Sequence, residues 1–83
     1  MKTTNYFNNF ASKKHPEVRQ QWIEQVLANP VATEVQTDGR VRFWGVISEF
    51  DNRVLRVVTL EDRETVHNAF FDRNFLKRKP QEN

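Results

Sequence analysis

The chain reads as an α+β domain: an N-terminal amphipathic helix packed on a four-stranded antiparallel meander sheet, with a short C-terminal helix. Three observations predict it. An apolar stripe at helical spacing runs through HPEVRQQWIEQVLANP, residues 15–30. After Pro30 the apolar period drops to two in VATEVQT, RVRFWGVIS, RVLRVVTL and TVHNAFF. The connections between those stretches are short, and short connections join antiparallel neighbours rather than parallel ones.

Residues 1–12 fit either a short strand or a helical turn, with Tyr6, Phe7 and Phe10 available to cover the core. In the helix that follows, Pro16 suits the first position, where its missing N–H costs nothing, and Glu17 favours the positive end of the dipole. Val18, Trp22, Ile23, Val26 and Leu27 form the stripe, and an amphipathic helix of this kind needs an apolar partner. Asn29 before Pro30 ends it, because a residue preceding proline avoids helical backbone.

The strand stretches are rich in Val, Phe and Thr, as strands are. Asp38-Gly39 between the first two is a strong hairpin signal. Asp51 and Asn52 are turn formers between the next two, and EDRE, residues 61–64, is a polar turn between the last two. Asp72 is placed to cap a last helix over RNFLKR, with Lys77, Arg78 and Lys79 complementing its dipole and Pro80 stopping it. One domain, 1–83, is expected, with flexible ends over 1–12 and 79–83.

Composition narrows the function classes. Eighty-three residues make one small core, stocked with seven Phe, two Trp and one Tyr. No Cys is present, which excludes disulfides and thiolate metal sites, and two isolated His do not suggest zinc. No metal or cofactor is expected. Thirteen Lys and Arg stand against eleven Asp and Glu, a net charge of +2, so any contact with nucleic acid must come from local clustering. No apolar run approaches a membrane span, and the N-terminus lacks the apolar core of a signal peptide. A cytoplasmic protein without membrane contact is expected.

Turn lengths decide which residues share a sheet face. A two-residue Asp38-Gly39 loop, Ser48 opposite Arg53 and Leu60 opposite Thr65 would put Val31, Val35, Trp44, Val46, Leu55, Val57, Val66 and Phe70 on one face. The other would carry Val41, Phe43, Ile47, Val54, Val58, Leu60, Ala69 and Phe71, together with Glu34, Gly45, Arg56 and His67. Both faces are then largely apolar, and a second cover is expected from the N-terminal segment, the last helix or another chain. Arg56 falls opposite Gly45 and Ala69 with His67 diagonal to it. An arginine and a histidine converging there can hold a phosphate and move a proton. An odd number of residues in the EDRE turn would separate them.

This order of parts resembles the RelE/ParE toxin superfamily, and within it the compact BrnT-type proteins or a related small family. The parts that carry the resemblance are HPEVRQQWIEQVLANP, DGRVRFWG, LRVVTLED and ETVHNAFFDRNF, within a resemblance that covers most of the chain, roughly His15 to Lys79. The resemblance implies a toxin of a type II toxin–antitoxin pair. It would cut RNA without metal, one group serving as base and another as acid while the 2′-OH attacks the adjacent phosphate. Carried onto this chain, the catalytic positions are Arg56, His67 and Arg73. Contacts to RNA or a partner fall to Arg40, Arg42, Lys77, Arg78 and Lys79. The implied partner is an antitoxin covering the second sheet face. Many ribonucleolytic members carry a tyrosine near the C-terminus, where this chain has Phe70, Phe71 and Phe75; its one tyrosine is Tyr6.

Each of these residues also has a structural reading. His67 reads as a half-buried strand histidine, His15 as the residue leading into Pro16, and Arg56 as a snorkelling arginine. Asp72-Arg73 reads as a cap and a solvated charge, and Arg40 and Arg42 as charges that keep an edge soluble. The alternative function is a non-catalytic interaction module on the same scaffold, self-associating as a homodimer or other homo-oligomer through its second face.

Overall fold

Four strands pair in chain order, β1-β2-β3-β4, all antiparallel, in a computed structural model that describes residues 1–75. They are β1 (Ala32–Val35), β2 (Val41–Ile47), β3 (Arg53–Thr59) and β4 (Val66–Phe71). Two helical segments precede them among the described residues. Helical segment α1 spans 5–14, with a π-helical turn Phe7–Ala11 running into Ser12–Lys14, and α2 is Gln20–Ala28. The expected α+β fold of helix and antiparallel meander is therefore present. The helix expected over RNFLKR, with Lys77, Arg78 and Lys79, lies largely outside the described residues. No helix among those described is long and apolar enough to cross a membrane.

Helix α2 carries the expected stripe. Trp22, Ile23 and Val26 are buried, with Val18 and Leu27 packed against them. It begins later than expected. Pro16 takes the second position of a turn closed by the Val18 N–H to the His15 carbonyl at 3.1 Å, a place that its fixed φ also suits. Arg19, in extended backbone, then receives the first helical N–H bonds from Trp22 and Ile23. Glu17 lies in that turn, 3.7 Å from His15 Nδ1.

The register departs from expectation by one residue at each of the first two connections. The first hairpin loop has three residues, not two. The Gly39 N–H reaches the Gln36 carbonyl, the Gln36 N–H reaches the Arg40 carbonyl, and Gly39 takes φ +93°. This is a turn followed by a left-handed residue, which glycine adopts freely. The next connection runs from Ser48 to Asn52, a 3-10 turn followed by Asp51 and Asn52 in left-handed backbone, so that Ile47, not Ser48, faces Arg53. The last turn is as expected, with the Leu60 N–H bound to the Thr65 carbonyl. There Asp62 accepts the N–H groups of Glu64 and Thr65 and the Thr65 hydroxyl; these bonds hold its pKa down at about 2.

Beyond that turn β4 slips. Thr59 pairs with Val66, yet Val58 pairs with Asn68, leaving His67 as the extra residue of a β-bulge. The bulge has a packing cause. Val66 and Ala69 are both buried, and at odd spacing only an inserted residue turns both inward.

The two sheet faces are corrected accordingly. The inner face, under α2, holds Val41, Phe43, Ile47, Leu55, Val57, Val66 and Ala69 in one core cluster with Trp22, Ile23 and Val26. Burying each large aliphatic side chain contributes about 1.5–3 kcal/mol. Gly45 belongs to this face and not beside Arg56: a Cβ there would stand 2.8 Å from Val26 Cγ2, so the glycine lets α2 approach. The outer face is mixed rather than largely apolar. It interleaves Trp44, Val46, Val54, Val58 and Phe70 with Glu34, Arg42, Arg56 and Asn68.

Residues 2–4 close the free edge of β4. Thr3 bridges Val66 in parallel, the Val66 N–H reaches the Lys2 carbonyl and the Thr4 N–H reaches the Val66 carbonyl. The Thr4 hydroxyl then accepts the Phe7 N–H and caps α1. The N-terminal segment thus makes a single β-bridge and then turns into a helix.

Candidate functional site

The outer face gathers its polar groups around Asp72, one residue past β4. The ladder continues to it, since the Asp72 N–H reaches the Val54 carbonyl at 2.8 Å. Its carboxylate is buried. Oδ2 accepts the Trp44 indole N–H at 3.0 Å and lies 3.6 Å from Arg56 Nη1. Oδ1 accepts the Asn74 N–H at 3.0 Å; the helix that Asp72 is expected to cap lies largely outside the described residues. A buried carboxylate is stable only when paired and hydrogen-bonded, and this one is both.

Arg56 stands opposite Trp44 on β2 and Phe70 on β4. Its guanidinium carbon sits 4.6 Å from the Phe70 ring centre, and the side chain keeps 22% of its surface exposed. The Asp72 carboxylate and the phenyl ring hold the guanidinium in one place, the condition for receiving an oxyanion without reorganisation.

His15 arrives at the same phenyl. Its ring lies 5.8 Å from that of Phe70. From the sequence His15 is only the residue before Pro16. The turn at Pro16 and the docking of α1 on β4 bring it across, and no local signal in the sequence marks this. On the far side Phe75 stacks on Trp44 at 5.3 Å.

His67 lies elsewhere. Its ring stacks on Tyr6 at 4.8 Å and 22°, and Nδ1 shares a hydrogen with the Thr4 hydroxyl at 3.1 Å. Burial first, and Arg40 second, lower its pKa below the ordinary 6.5, so at neutral pH it is an uncharged imidazole. His67 lies against Tyr6 and Thr4, whereas Arg56 lies over Phe70 and forms an ion pair with Asp72. Three positions of β4 separate His67 from Phe70, about 10 Å of strand, so the expected Arg56–His67 convergence does not form.

The other sequence-predicted residues are dispersed. Arg73 is exposed in a cleft with Arg53 and Asn52. Arg40 pairs with Asp38 at 3.7 Å, and Arg42 pairs across the strands with Glu34 at 3.0 Å while its Nε donates to Gln36. Lys77, Arg78 and Lys79 lie outside the described residues. Among those described, no three His, Asp or Glu side chains gather as metal ligands.

Comparison with protein-family models, with curated proteins and with solved structures finds no match.

Proposed function

We propose that the chain is a toxin-like protein that acts on RNA without metal, taking a phosphodiester against the outer sheet face at Arg56. One observation carries this reading: a partly exposed guanidinium fixed by a buried carboxylate, on the sheet face opposite α2, with an imidazole at the same phenyl ring. In such a site His15 takes the proton of a 2′-OH as that oxygen attacks the adjacent phosphorus. Arg56 neutralises the charge gathering on the phosphoryl oxygens, and the 5′-oxygen departs with a proton from the protonated histidine or from water. His67 contributes by fixing α1, which delivers His15.

Purified protein incubated with RNA in the presence of EDTA tests this. Wild type should give fragments ending in 2′,3′-cyclic phosphate. His15→Gln should abolish them while leaving the melting temperature within a few degrees, and Arg56→Lys, which keeps a charge beside Asp72, should reduce them sharply. Folded wild-type protein that leaves RNA intact, and whose induction leaves a host growing, removes the catalytic reading.

A second reading is supported by the open edge of the sheet. Among the described residues β1 has a neighbour on one side only, and Val31, Val35 and Val46 are exposed around it. An antitoxin strand or a second copy of this chain could pair there. A stable monomer in sedimentation, with nothing retained in pull-downs, counts against it.

A further inference from the structure

Segment α1 presents a surface that the outer-face site does not use. Ala11 is buried and Phe7 packs against the core. Tyr6 and Phe10, one helical turn apart, are 42% and 62% exposed. Phe10 lies 5.7 Å from Tyr6 at 33°, and Tyr6 lies 4.8 Å from His67 at 22°. The three rings form a ladder at ordinary ring spacings, anchored in β4 at His67 and open at Phe10. Lys13 and Lys14, three and four residues beyond Phe10, share its side of the helix. Both are exposed, and neither joins an ion pair among the described residues. The next residue is His15, at Phe70, so the surface leads towards Arg56.

We propose that the Phe10–Tyr6–His67 ladder, with Lys13 and Lys14, is a stacking platform for unpaired bases of the RNA strand whose phosphate reaches Arg56. This rests on the RNA reading above and extends it to a substrate class, single-stranded RNA. The occupant follows from two complementarities. Every unpaired base offers a π-face to an open ring, and every nucleotide offers a phosphate to a neighbouring lysine. Duplex RNA buries its base faces and offers only the second.

Fluorescence anisotropy with a short labelled 2′-O-methyl RNA strand, which lacks the attacking hydroxyl, separates binding from cleavage. Phe10→Ala should weaken binding about tenfold. Lys13→Gln with Lys14→Gln should lower the salt slope of log Kd by about 1.4. Melting curves should not move for either, since these side chains are exposed. If Arg56→Gln weakens binding but the Phe10 and lysine variants do not, the platform is overturned and the phosphate reading stands. If wild type binds no strand, both fail. Equal affinity for the duplex also overturns the platform. So does a dimer in sedimentation that Phe10→Ala dissolves while the RNA titration stays unmoved, which would make the ladder a protein contact.

Discussion

Trp44 and Asp72 are joined across the sheet. The indole N–H donates to Asp72 Oδ2 at 3.0 Å, in a buried bond between residues 28 positions apart. Because Arg56 approaches the same oxygen, the outer face is tied together by one carboxylate.

Asp72→Asn removes the charge beside Arg56 and should cost about 2–3 kcal/mol of stability. Trp44→Phe keeps a ring against Phe75 and loses one donor, at about 1–2 kcal/mol. Urea midpoints should therefore fall in the order wild type, Trp44→Phe, Asp72→Asn. The reverse order would mean that ring packing, not the carboxylate, holds this face.

Gly45→Ala should destabilise by about 1–3 kcal/mol, because the added methyl meets Val26 Cγ2 at 2.8 Å in a close-packed core. Val26→Ala destabilises on its own by opening a cavity. The double variant should be more stable than the sum of the two losses allows, and a denaturation cycle on the four proteins reads that coupling.

His67 supplies a pH test. Its folded pKa lies below the ordinary 6.5, so as acid is added the unfolded chain takes the proton first. Stability is full above pH 6.5 and declines below it until the folded histidine also protonates. His67→Gln should lower stability near neutral pH by losing the Tyr6 stack, yet flatten the decline below pH 6.5. Urea unfolding across that range measures both. An unchanged acid slope would show that His67 is not the group responsible.

Much of the fold is legible from spacing alone. Val18, Trp22, Ile23, Val26 and Leu27 announce the helix, and Asp51-Asn52 and EDRE announce their turns. What spacing does not carry is register. The residues Asp38-Gly39 fit a two-residue and a three-residue loop alike, and at the next connection one residue's difference, Ile47 rather than Ser48 facing Arg53, moves Gly45 from Arg56 to Val26. The bulge at His67 is invisible for a related reason, since it answers a demand set by Val66 and Ala69 against a core that the local sequence does not describe. The site was half legible. Arg56 could be named from sequence. His15 could not, because its place beside Phe70 depends on a segment docked from the far end of the chain.

That docking has a consequence for synthesis. Residues 2–4 find their hydrogen-bond partners at Val66, and Thr4 meets His67 at a separation of 63 positions. On a ribosome adding about 5–20 residues each second, the first turn of α1 waits about 3–13 s for the strand it must lie against. Through that interval Tyr6, Phe7 and Phe10 travel uncovered, so nascent chains should be open to chaperones at their leading end until β4 has emerged.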